Sequence, residues 1–264
     1  RRAAPAAAGE GGWLRRVAVR PDPIGPKGRL SALWVVTAVA AALISPLALA
    51  VHLATAAGLA GLQSADRWRR RRQRPARLVA GLGGAALPLA AGFGVRPLGA
   101  AALVLALAAL VAARLDPRAL GRLGAAGCTV RCSLFTGLAA ASVVMLGRLD
   151  TAAAIAVLVL SAAYDAGWHL VGVGAPRALD GPAAGVIGVL AFTFALSVLL
   201  PDPFTAQGAW WAGLAAAALA PLGQLAASLV LPDPSARAPA LRRLDSLLLT
   251  APVWAVALWV NGAL

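Results

Sequence analysis

Asp165 and His169 stand four residues apart, which puts them on one face of any helix that contains both. Just upstream, residues 152–163 are Ala, Leu, Val and Ile almost without interruption. A carboxylate set in such a run costs about 2.5–3.5 kcal/mol at the centre of a membrane helix, so it turns toward a bundle interior or a polar cavity. Two roles are open to the pair. It is either an internally satisfied contact that fixes helix packing, or a group facing a ligand, a metal or a travelling proton.

The rest of the chain must hold that pair in a membrane. Of its 264 residues 60% are hydrophobic and only 13% charged, with a mean hydropathy of +0.79. A soluble domain carries about 25% charged residues, so half that share marks an integral membrane protein. Arg accounts for all the basic residues except Lys27, and the net charge is +14. No basic stripe with interleaved aromatics accompanies it on a foldable soluble domain, which argues against nucleic acid as partner. Cys128 and Cys132 are too few for a zinc site and read as small packing residues.

Residues 1–30 are polar, basic and rich in Gly and Pro. They read as a flexible tail in which Trp13–Arg20 either lies on an anionic membrane surface or is simply solvated. No signal-peptide pattern stands ahead of the first apolar run. Residues 31–264 read as one all-α transmembrane domain of about nine spans. The run Leu33–Leu62 would make about 45 Å of helix, too long for a hydrocarbon core of about 30 Å, and Pro46 divides it. Two helices at roughly 33–45 and 47–63 follow, then spans near 78–93, 98–115, 124–146, 151–173, 184–200, 209–230 and 245–262. Gly and Pro mark most of the breaks.

With nine spans, 22 of the 24 basic residues fall on one side, leaving only Arg96 and Arg148 on the other. The positive-inside rule then puts the N-terminus in the cytoplasm. Asp165 lies about 21 Å along a helix entering from the outer side, in its cytoplasmic half. The last span begins on that same side at Leu244-Asp245-Ser246, so Asp165, His169, Arg243 and Asp245 can converge. The loops carrying Arg177, Asp180 and Asp233 flank that place.

These residues carry a resemblance. Asp165-Ala-Gly-Trp-His-Leu-Val-Gly172 resembles the Asp-Thr-Gly-Ala-Tyr-Leu-Val-Gly run of the phosphatidate cytidylyltransferases (CDP-diacylglycerol synthases). Leu241-Arg-Arg-Leu-Asp-Ser-Leu-Leu-Leu-Thr-Ala-Pro-Val253 resembles that family's terminal signature, Leu-Asp-Arg-Ile-Asp-Ser-Leu-Leu-Phe-Thr-Ala-Pro-Val. Gly223-Gln-Leu-Ala-Ala-Ser228 is similar to its Gly-Asp-Leu-x-Glu-Ser element, and Gly185-Val-Ile-Gly188 to its Glu-Gly-x-x-Gly-Gly turn. The terminal match is the specific one. The resemblance implies transfer of a cytidylyl group from CTP to phosphatidic acid, with release of pyrophosphate, in phospholipid biosynthesis. It implies Mg²⁺ held by Asp165 and Asp245, with Asp233 as a third ligand, and Arg243 as a catalytic cation. Arg177, Arg237, Arg242, Ser228 and Ser246 would meet the substrates, since arginine forks suit phosphates.

The departures from the family fall on charged positions. Leu179-Asp-Gly-Pro-Ala-Ala-Gly185 lacks the lysines and glutamate of Ser-Pro-Lys-Lys-Thr-Trp-Glu-Gly. Gln224 and Ala227 replace an Asp and a Glu, and Arg242 replaces the Asp of the terminal signature. Each tenfold loss in rate is about 1.4 kcal/mol of barrier, so several losses in one site disfavour catalysis by the standard route. Three readings follow: a catalytically degenerate scaffold or regulatory paralogue, an active divergent cytidylyltransferase, and a small transporter with an Asp–His relay. The terminal signature argues against the last, as does the lack of an inverted repeat in the hydropathy. Gly- and Ala-rich helices would allow close approach within the chain, in a homodimer or to an intact family member.

The other candidates are structural. His52 reads as satisfied or interfacial. Trp210, Trp211, Trp254 and Trp259 suit an aromatic belt or packing. Asn261 reads as a polar terminus, and Arg69–Arg72 as an anchor to the anionic leaflet.

Overall fold

The computed structural model describes residues 27–69, 74–117, 121–177, 179–199, 205–233 and 236–260. The Trp13–Arg20 piece, Asn261 and Arg70–Arg72 lie outside them. Among the described residues there are no strands. Within the described residues nine α-helices follow one another: α1 (Lys27–Ile44), α2 (Pro46–Arg69), α3 (Arg77–Ala91), α4 (Val95–Leu115), α5 (Arg122–Leu149), α6 (Thr151–Gly172), α7 (Asp180–Leu199), α8 (Ala206–Val230) and α9 (Leu247–Val260). A single 3-10 turn, Leu241–Arg243, precedes α9.

Local chemistry sets the boundaries. The long apolar run breaks at Ser45, whose hydroxyl accepts the Ala48 N–H at 3.0 Å, with Pro46 in the first helical position, where its missing N–H leaves no bond unmade. Asp150 caps α6 by accepting from Ala153 N at 3.0 Å, and Thr205 caps α8 by accepting from Gly208 N at 3.0 Å. Between α3 and α4, Gly94 takes φ +126°, a conformation that favours glycine. Arg148 from the end of α5 donates to Gly92 O and closes that turn.

Six helices (α2 and α4–α8) are long and apolar enough to cross a membrane, while Leu30–Ile44, Arg77–Ala91 and Leu247–Val260 are shorter apolar helices. The exposed residues agree with a membrane. Leu103, Val104, Leu107 and Val111 on α4, and Ile187, Phe194 and Val198 on α7, all face outward. Contiguous apolar patches of that kind are not kept in water by monomeric soluble proteins.

α5 is the central column, packed against α2, α3, α4, α6 and α9. Its Ala139–Ala141, Val143, Val144 and Leu146 are fully buried. Small residues bring the backbones close. A Cβ at Gly84 would sit 2.7 Å from Ala57 O, and one at Gly188 would sit 2.8 Å from Ala163 O, so α2–α3 and α6–α7 cross backbone to backbone. α1 folds back along α2, with the Trp34 and His52 rings 5.9 Å apart.

Candidate functional site

Three segments meet at one end of the bundle: the second half of α6, the stretch 241–246 ahead of α9, and the first turns of α1. Tyr164 fixes α6 there. Its ring is fully buried, and its hydroxyl donates to Gln224 Oε1 of α8 at 3.2 Å. Gly223, next to that glutamine, lets Asp245 O lie where a Cβ would be. The Leu244–Ser246 turn is thereby pressed onto α8 while α6 is pinned to the same helix. Both carboxylates are positioned by this arrangement.

Asp165 Oδ2 accepts from Ser246 Oγ at 3.1 Å, and Asp245 Oδ1 accepts from Ser246 N at 2.8 Å. A single residue thus bridges the two acids, which lie within electrostatic range of each other and of Arg243. Arg242 Nη1 stands 3.6 Å from Asp245 Oδ2, and both side chains are largely buried. Arg243 reaches the other way and donates to Ser31 Oγ of α1. Asp165 Oδ1 is shielded from solvent and has no hydrogen-bond partner. Asp245 lies before the first turn of α9, outside the apolar helix. Burial pushes its carboxyl up to about 6, against the pull of the Arg242 guanidinium.

The sequence-based expectations divide on this geometry. Asp165, Asp245, Arg242, Arg243 and Ser246 come together. Asp233 does not complete a metal site: among the described residues no three His, Cys, Asp or Glu side chains gather around one point. Arg177 is exposed, and its backbone N–H is engaged by Asp180 Oδ2 in a local turn at 3.3 Å. Arg237 is also exposed, and its carbonyl accepts from Arg67 Nε at 2.8 Å. Ser228 is buried and spends its hydroxyl on Gln224 O at 3.0 Å within its own helix.

The His169 carbonyl accepts from Val173 N at 3.3 Å at the end of α6, while its imidazole has no hydrogen bond or ion pair among the described residues. The Asp165 carboxylate turns instead to Ser246, because the signature turn ahead of α9 supplies a donor across the helix interface. Three participants had no signal in the sequence: Ser31, the Tyr164–Gln224 bond and the close approach at Gly223. Tyr164 stands next to Asp165, but only the packing of α6 on α8 makes it a determinant of where that acid lies.

A resident Mg²⁺ has little to hold it here. Asp165 Oδ1 is unbonded but shielded from solvent, Asp245 is occupied by Arg242 and its neighbouring N–H, and among the described residues no group of three acids, histidines or cysteines gathers. The group set does not fit a nucleotidyl-transfer metal, which needs carboxylates free to ligate. No protein-family model matches the chain, and no match was found among the curated proteins.

Proposed function

We propose that the chain is a multi-pass protein of the cell membrane with nine spans and a cytoplasmic N-terminus, a degenerate relative of the phosphatidate cytidylyltransferases. Its site has lost nucleotidyl transfer and serves a scaffold or regulatory role, through membrane lipid, phosphatidic acid among them, or through an intact family member. One observation carries the reading. Where the resembling signature has Asp, this chain has Arg242, and that arginine neutralises Asp245 at 3.6 Å. Gln224 stands likewise at a position that is acidic in the family, and its amide oxygen is taken by Tyr164. Two substitutions thus turn would-be metal ligands into internally paired groups, and buried pairs of this kind resist being opened.

The unbonded Asp165 Oδ1 is what favours the second reading, an active divergent enzyme with Asp165 as its remaining free ligand and Mg²⁺ as its metal. The test is direct. Purified protein in detergent, given labelled CTP, phosphatidic acid and Mg²⁺, yields no labelled CDP-lipid above a no-protein control. Robust turnover lost in Asp165→Asn overturns the degenerate reading and establishes the active one. Proton-coupled uptake into liposomes, lost in the same variant, would establish a transporter instead.

A further inference from the structure

Away from the carboxylates, a second cluster lies where the end of α2, the start of α3 and the first half of α5 meet. Arg131 sits in the third turn of α5, half-buried, with its guanidinium 4.3 Å from the centre of the Trp68 ring. Trp68 is held in turn from α8, donating its indole N–H to Val230 O at 2.7 Å. Thr129 accepts the Ala76 N–H at 2.9 Å and brings the start of α3 over the cluster. Cys128 and Cys132 are buried beneath with Ala65 and Ala80. One turn before Trp68 on the same face, Ser64 is fully buried and its Oγ has no partner.

This arrangement fixes a cation and gives it no anion. Among the described residues no carboxylate pairs with Arg131, and its Nε is shielded from water with no acceptor. Asp66, three residues before Arg69, is taken by Arg77 at 3.0 Å. A ring face and a thiol satisfy little of a guanidinium, which carries five N–H donors and a full charge. A charge on a membrane-crossing helix is kept only where something compensates it.

We propose that Arg131 binds the phosphate of an anionic phospholipid headgroup, with Trp68 as the platform that orients the guanidinium. The depth suits this. α5 has 28 residues, about 42 Å, and so exceeds a core of about 30 Å. Arg131 lies nine residues from the Arg122 end, about 13.5 Å in, and the length of its side chain returns the charge toward the headgroups. Trp68, one residue from the end of α2, has the interfacial position that tryptophan favours. Arg69, Arg74, Arg77 and Arg122 stand around the same end and raise the local concentration of negative lipid. The proposal is independent of the cytidylyltransferase reading, since it uses other helices and needs no nucleotide.

The test uses the full chain, delipidated in detergent and then titrated with phosphatidylglycerol, phosphatidylcholine or inorganic phosphate, with native mass spectrometry and thermal melting as readouts. The native chain should retain one phosphatidylglycerol that Arg131→Gln binds about tenfold more weakly or worse. Phosphatidylcholine should bind both equally, and inorganic phosphate should leave the melt unchanged. Equal retention of phosphatidylglycerol by the two chains overturns the proposal, and a phosphate shift as large as the lipid's overturns the assignment to lipid. Should Arg131→Gln not fold, Trp68→Leu keeps the charge and should still weaken phosphatidylglycerol binding. In addition, the native chain should melt higher in phosphatidylglycerol nanodiscs than in phosphatidylcholine ones. Equal melting in the two discs likewise overturns it.

Discussion

Arg242 Nη1 lies 3.6 Å from Asp245 Oδ2, three residues along the chain and inside a tight turn, with 20% and 4% of the two side chains exposed. Removing one member of such a pair strands the other. Asp245→Ala should therefore lower stability by about 3 kcal/mol, while the double change Arg242→Leu with Asp245→Leu should cost clearly less. A thermal or denaturant melt in detergent of the native chain, Arg242→Leu, Asp245→Leu and the double variant gives the coupling energy directly. Additive losses would mean that the two groups do not form a unit.

Burial raises the Asp245 carboxyl to about 6, above the range it has in the unfolded chain. The folded state then holds the proton more tightly, so this group's contribution to stability is full below about pH 4 and is lost as pH rises to about 6. Above that, its contribution is flat. The melting temperature of the native chain minus that of Asp245→Asn should fall between pH 4 and 6.5. A difference that rises over the same interval would contradict the assignment.

Ser246 is the bridge between the acids, giving its hydroxyl to Asp165 and its backbone N–H to Asp245. Ser246→Ala deletes only the first bond. Asp165 is left with no donor, and the loss should be about 1–2 kcal/mol. Ser246→Thr should restore most of it. Identical melts for the Ala and Thr variants would show that the hydroxyl carries no weight.

A methyl at Gly223 would overlap the carbonyl of Asp245. Gly223→Ala must push the 244–246 turn off α8, and a backbone oxygen cannot swing aside as a side chain can. The expected cost is about 1–3 kcal/mol, as for other overpacked contacts. Gly127→Ala, which meets nothing within 4 Å, is the matched control and should be neutral. Equal melts for the two would remove the close approach as a determinant of the site.

The helices were largely legible in the chain because their punctuation is local. Pro46, Asp150 and Thr205 mark starts by capping chemistry that operates within four residues. The convergence of Asp165 with Asp245 was legible too, because alternating short connections return every second helix end to the same side. What the sequence concealed were partners chosen across interfaces. Nothing about Asp165 and His169 at four-residue spacing says that the carboxylate will prefer a serine 81 residues away. The same holds for Ser228, whose match to a family motif is blind to the fact that its hydroxyl bonds its own helix. For Asp233, proximity in sequence to a helix end does not say which side chains gather with it, and among the described residues no group of three acids, histidines or cysteines forms.

The contact between Ser31 and Arg243 joins the beginning of the helical bundle to the site near its end. A disturbance at either place is therefore felt at both: moving α1 away from α2 releases Arg243 from Ser31, and Arg243 stands within electrostatic range of both carboxylates.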